Sequence, residues 1–142
     1  MNKKVQVWVR ADCELKTYIL LLKRTAELGG QYQPITGGVE EGEETLQAAK
    51  RELFEETGLI DQLVKSINFE FTYERQHAGG RQGVFVESCF LLDLGVVTDL
   101  PMIKIDPKEH CQYHWFHENE VEVQLFFLPQ KKAFNIVRKF EK

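Results

Sequence analysis

Glu52, Glu55 and Glu56 crowd three carboxylates into five residues. At roughly 100° per residue, a helix puts Glu52 and Glu56 on one face with Glu55 beside them. Like charges at that spacing repel, so a helix that keeps them implies a cation to hold. Carboxylate oxygens are hard ligands and suit Mg2+, Ca2+ or Mn2+ rather than Zn2+. Mg2+ typically takes only one or two carboxylates and completes its shell with waters and substrate phosphates. Arg51 adjoins the cluster and can pair with Glu55, or reach back to Glu43 or Glu44, and so orient a carboxylate. Leu46, Ala49 and Leu53 form a neighbouring apolar stripe, which sets the carboxylates at the edge of the buried face, where a cleft would lie.

The surrounding 23 residues, Gly37 to Leu59, read GGVEEGEETLQAAKRELFEETGL. One glycine, five residues, Glu43, seven residues, then Arg51-Glu52-Leu53-x-Glu55-Glu56-x-Gly58-Leu59: this pattern resembles the Nudix box of MutT-type hydrolases, with every fixed position filled. The resemblance implies hydrolysis of a nucleoside diphosphate linked to another moiety, with Mg2+ (or Mn2+) as cofactor. It makes Glu52 and Glu56 direct metal ligands, Glu55 a further ligand or the base, and Arg51 the orienting partner. Many members carry Gly-Gly where this chain has Thr36-Gly37, so the Thr36 carbonyl becomes a possible metal ligand and Gly37 and Gly38 line the substrate. Glu109, six residues before Trp115 on a loop entering a strand, matches the family's extra glutamate that completes the metal site or acts as base. His110 and Glu87 are competitors for that extra place. Arg24 resembles the family's phosphate-contacting basic residue, and arginine suits bidentate phosphate recognition. Tyr32, Tyr73 and Phe127 offer rings to stack on a base or pterin. Arg75 and Arg81 flank Gly79-Gly80, a loop placed to close over the substrate or to form a hairpin tip.

The segment QYQPITGGVEEGEETLQAAKREL, with ESCF and EHCQYHWF further on, is similar to bacterial dihydroneopterin triphosphate or deoxynucleoside triphosphate (dNTP) pyrophosphatases. The expected reaction is therefore hydrolysis of a nucleoside triphosphate-like substrate to pyrophosphate and a monophosphate, by direct attack of water without a covalent enzyme intermediate. A dinucleoside polyphosphate hydrolase of the Ap4A type is the alternative enzyme. A non-catalytic nucleotide-sensing domain is the alternative class, and the intact box glutamates argue against it.

At 142 residues the chain is of single-domain length, and one Nudix domain over 1–142 is expected. A net charge of −4, with seven glutamates between Glu40 and Glu56, disfavours a nucleic-acid partner, since no basic stripe tracks a phosphate backbone. A small nucleotide is the expected partner, with the protein a monomer or homodimer. No apolar run approaches the roughly 20 residues of a membrane span. MNKKVQVWVR lacks a secretory apolar core, and three scattered cysteines, Cys13, Cys89 and Cys111, suggest no disulfide framework or zinc site. The expected compartment is cytoplasmic.

These residues need a scaffold. Alternation predicts a strand over Lys4 to Ala11 with Val5, Val7 and Val9 inward. A turn at Asp12 to Lys16 leads to a buried strand over Thr17 to Lys23. A mobile loop containing Gly29-Gly30 precedes a short strand over Tyr32 to Ile35. A helix over 43–57 closes at Gly58. Strands follow over Leu63 to Arg75, Gly83 to Leu94 and Gln112 to His117. A short helical turn spans His117 to Val123, and a helix runs from Pro129 to Phe140 with Ala133, Ile136, Val137 and Phe140 on one face. Lys131-Lys132 and Arg138-Lys139 read as that helix's solvent side. The resemblance implies an α+β fold, an α/β/α sandwich with a mixed β-sheet between helices.

Overall fold

Val5, Val7 and Val9 alternate with Gln6, Trp8 and Arg10, and all six are buried. A strand buried on both faces belongs in the middle of a sheet covered twice. In the computed structural model, which describes residues 2–60, 63–76 and 82–142, this strand, β1 (Asn2–Cys13), pairs in parallel with β6 (Gln82–Val96). The other pairings are antiparallel. They involve β2 (Lys16–Arg24), β3 (Tyr32–Gln33), β4 (Ile35–Gly38), β5 (Lys65–Gln76) and β7 (His110–His117). The order is β3-β2-β1-β6-β5, with β4 on β1 and β7 on β2.

Helices cover both faces. α1 (Thr45–Thr57) sets Ala48, Ala49 and Leu53 against Val5, Val7, Val9, Leu20, Leu22, Phe90 and Leu92. On the other face α3 (Leu128–Lys139) packs Ala133, Phe134 and Val137 against Trp8, Ile19, Leu21, Cys89 and Leu91, and the short α2 (Glu118–Val121) adds Val121. The fold is the expected mixed sheet between helices. Among the described residues no helix is long and apolar enough to cross a membrane.

The departures from expectation have local causes. Leu46 is exposed, and Ala48 takes its place in the core. Leu46 lies in the first turn of α1, where the helix begins only at Thr45, short of the sheet. Ala26–Leu28 winds a short 3-10 turn in place of a plain loop, closed by Gly29 at φ 117°. Phe134, rather than Phe140, is fully buried on α3. Glu14 and Leu15 make the two-residue β1–β2 turn with φ of 52° and 68°, the left-handed pair that favours glycine or asparagine. The expected loop around Gly79-Gly80 and Arg81 lies outside the described residues.

Alternation along β1 predicts valines inward but gives no role to Arg10. Its guanidinium is buried, donates to Asp93 Oδ2 at 2.7 Å, and donates to the carbonyls of Val137 and Phe140 at 2.6 and 3.0 Å. A cation on the last carbonyls of a helix satisfies its orphan acceptors and its dipole, so Arg10 fastens the end of α3 to the sheet. Arg10→Met is expected to lower unfolding free energy in urea by about 3 kcal/mol, because Asp93 and the carbonyls lose a charged donor. A loss below about 1 kcal/mol would show that water replaces the clamp.

Candidate functional site

The loop from β4 into α1 and the helix itself are tied together by one side chain. Arg51 donates through Nε and Nη2 to the two oxygens of Glu43, at 2.9 and 3.0 Å. Nη2 also donates to the Gly38 carbonyl at 2.8 Å. Nη1 donates to Glu52 Oε1 at 2.9 Å and to Glu55 Oε2 at 3.3 Å. The guanidinium fork matches a carboxylate bidentately, and here it spends its remaining donors on the neighbouring glutamates. The hydrogen bonds from Arg51 hold the Glu43 carboxyl down to about 2, and donating them raises Arg51 in turn.

Each turn of the box has a local reason. Gln47 Oε1 accepts from the Glu44 N–H at 3.0 Å at the start of α1, which satisfies one orphan donor. Leu53 is buried in the core. Gly58 ends the helix at φ 78°, its N–H donating to the Phe54 carbonyl at 2.8 Å, the left-handed cap that glycine adopts without strain. Gly37 serves a different need. A Cβ there would fall inside the Glu52 carboxylate, so this glycine lets the carboxylate stand where it does.

The three helix carboxylates differ in surroundings. Glu52 and Glu56 are buried and Glu55 is exposed. Burial pushes the Glu52 carboxyl up, against the pull of Arg51. Glu56 points at the loop before β7, where its Oε2 lies 3.1 Å from His110 Nδ1. Donor atoms of Glu56, Glu109 and His110 all lie within 4.8 Å of one another. A hydrogen bond with Glu56, then burial, then the Glu56 charge raise the Glu109 carboxyl to about 7. Glu109 thus joins the box glutamates across the cleft, on a turn whose N–H groups at 109 and 110 both donate to the Asp106 carbonyl.

Arg24 ends β2 directly beside His110 in the β2–β7 pairing. Its Nε is buried without a hydrogen bond. Lys4 is half-buried on β1 in register with Glu87: burial lowers its amine, and the charges of Arg75 and Arg24 lower it further against the pull of Glu87 and Glu52. Lys4 carries no motif signal, being one more polar position in an alternating strand. Thr36 sits on β4 opposite Gln6, and its Oγ1 accepts from Gln33 Nε2 at 3.4 Å.

The structure does not bring Glu87 or Tyr32 to this cluster. Glu87 lies on the α3 side of β6, in register with Cys89, and accepts from Gln6 Nε2 at 2.7 Å and Tyr73 Oη at 3.0 Å. Burial raises it, and it raises Tyr73 in turn after that residue's own burial. The Tyr32 ring packs edge-on against Phe116 at 5.0 Å. Phe127 is exposed, with Phe126 against it at 5.1 Å. Arg75 lies near the Glu87 group, and Arg81 is outside the described residues.

A carboxylate-rich cluster with unsatisfied buried atoms at Glu56 Oε2 and both His110 nitrogens fits a hard divalent cation. Glu56, Glu109 and His110 are the donors gathered within reach of one ion, while Arg51 holds Glu52 and Glu55 on the same helix as Glu56; the Cys111 thiol lies 3.7 Å from the Arg24 carbonyl.

The family model described as NUDIX domain matches residues 3–139. An RNA pyrophosphohydrolase of Bartonella bacilliformis is 40% identical over 76 residues, which span 51% of this chain and 41% of that protein. The match thus spans less than half of that curated relative. The structure of a Caenorhabditis elegans Ap4A hydrolase binary complex superposes with a TM-score of 0.78 at 18% identity, covering 99% of this chain and 97% of the other. The Escherichia coli dihydroneopterin triphosphate pyrophosphohydrolase superposes at 0.76 with 22% identity, covering 96% and 95%. At such identities the superpositions establish a shared fold.

Two outcomes follow from the geometry. A carboxyl raised to about 7 holds a proton that a divalent cation must displace. Mn2+ binding is therefore expected to release a proton below pH 7 and to tighten as pH rises from 6 to 8, then level off. Calorimetry in buffers of different ionisation enthalpy reads this, and a pH-independent affinity would contradict it. Gly37→Ala is expected to displace the Glu52 carboxylate, weakening Mn2+ binding by roughly tenfold or more while the protein stays folded. Unchanged affinity would show that Glu52 has room to move.

Proposed function

We propose that this chain, which belongs to the NUDIX domain family, is a divalent-metal-dependent hydrolase. Its substrate is a nucleoside triphosphate-like molecule, either a dNTP or dihydroneopterin triphosphate. It cleaves one phosphoanhydride bond, releasing pyrophosphate and leaving the monophosphate. The observation that carries this reading is the gathering of donor atoms of Glu56, Glu109 and His110 within 4.8 Å, on and opposite the helix where Arg51 holds Glu52 and Glu55. Mg2+ or Mn2+ held there lowers the pKa of a water and neutralises phosphoryl oxygens.

The protein's own residues supply position and proton handling, as phosphoryl chemistry requires little else. Glu52 and Glu56 would hold the ion, and the Thr36 carbonyl would be a further ligand. Glu109 accepts the proton of the attacking water, from its place against Glu56. Arg24 and Lys4 take charge from the polyphosphate. Gly37 and Gly38 let the substrate approach the backbone, and Gly38 is fixed by its carbonyl bond to Arg51. We expect a cytoplasmic monomer or homodimer.

A second reading is favoured by the Bartonella relative: the triphosphate end of an RNA in place of a free nucleotide. The net charge of −4 weighs against a polymer.

A panel of dNTPs, dihydroneopterin triphosphate, diadenosine tetraphosphate and 5′-triphosphorylated RNA, with phosphate and pyrophosphate read separately, distinguishes these. Pyrophosphate from a free triphosphate, lost with chelator, is expected. Glu109→Gln is expected to lower kcat by about 10²–10⁴. Full turnover by Glu56→Gln, or by chelated protein, would contradict the metal assignment. Turnover of the dinucleotide or RNA alone would move the substrate class.

A further inference from the structure

His110 is unexplained by the function proposed above. It opens β7 and is 3% exposed, yet neither ring nitrogen makes a hydrogen bond. Buried polar atoms are nearly always satisfied, and each exception needs a reason. A second orphan faces it: Glu56 Oε2, 3.1 Å from Nδ1, also makes no hydrogen bond. Two acceptor lone pairs this close repel unless something positive lies between them. An aligned ring N–H is one solution, and the ring is not turned to provide it. A cation bound by both atoms is the other. A carboxylate oxygen of Glu109 lies within 4.8 Å of both atoms, so a cation there would meet three donors.

We propose that His110 Nδ1 is a nitrogen ligand of the same ion, and that it tunes the centre toward a first-row transition ion over Mg2+. This rests on the metal centre proposed above. Mg2+ prefers oxygen and dehydrates reluctantly, whereas imidazole nitrogen suits transition ions, and Mn2+ accepts the surrounding carboxylates as well. The backbone sets the ring in place before any ion arrives. The His110 N–H donates to the Asp106 carbonyl at 3.0 Å, the Glu109 carbonyl accepts from the Thr25 N–H at 3.1 Å, and His110 pairs with Arg24 across the sheet. A preformed ligand of this kind costs little ordering when the ion binds.

Pulsed EPR of Mn2+ bound to the purified protein reads the bond directly. Nitrogen modulation is expected in the native protein, shifting when histidine is 15N-labelled. It is expected to survive in His77→Asn/His114→Asn/His117→Asn and to vanish in His110→Asn. Calorimetry is expected to show the preference for Mn2+ over Mg2+ falling by roughly tenfold or more in His110→Asn. If that variant does not fold, the triple variant alone decides, because His110 is then the remaining histidine. Mn2+ that binds, is weakened by Glu56→Gln, and shows no nitrogen coupling would overturn the role of His110 and leave the centre intact. Mn2+ binding indifferent to Glu56→Gln would overturn both.

Discussion

The bidentate bond between Arg51 and Glu43 determines where everything else in the site can stand. It joins a residue on the loop to one on the helix, eight positions apart. The same guanidinium reaches the Gly38 carbonyl, so the loop cannot lift from α1 without breaking three hydrogen bonds. Only then does Gly37 lie against Glu52, where a side chain would not fit. The spacing of the box is thus a statement about reach. Gly37 must lie against Glu52, and Glu43 on the loop must meet the arginine one position before Glu52.

That clamp works against a repulsive load. Glu56 and Glu109 bring donor atoms within 4.8 Å of each other, Glu52 feels the charges of Glu55 and Glu109, and burial adds to the cost for Glu52. Arg51 neutralises part of this from one side, while Glu109 retains a proton near neutral pH on the other. The sheet supplies the rigidity. Leu53 in the core fixes the rotation of α1, and the pairing of β2 with β7 holds Arg24 and His110 at one edge. An acidic cleft held open by its scaffold is a site preorganised for a cation, which is how a protein with little covalent chemistry of its own can accelerate attack at phosphorus.

Much of this was legible in the sequence because it is local. Helical period places Glu52, Glu55 and Glu56 together, and Gly58 marks the helix end. The two-sided burial of β1 was not legible. Alternation shows Val5, Val7 and Val9, while the burial of Gln6, Trp8 and Arg10 depends on α3, over a hundred residues away. Leu46 reads as core by period alone and is lost to the surface by where the helix starts. Glu87 and Glu109 look alike as lone glutamates near strands. Only the pairing of β6 with β1 and β5 sends the first to Gln6 and Tyr73, and only the turn at Asp106 brings the second to Glu56. Long-range contacts of that kind leave no periodic trace.

The decisive quantity is the Mn2+ affinity of Arg51→Gln, measured by calorimetry beside the native protein at one ionic strength. By charge alone, deleting a cation next to four carboxylates should tighten metal binding. If Arg51 acts chiefly by holding Glu43, Gly38 and Glu52 in place, binding should weaken in spite of the more negative site. Weaker binding in a folded variant is the expected result. Tighter binding would mean that the carboxylates find the ion without the clamp, and that the loop and helix are organised by something else.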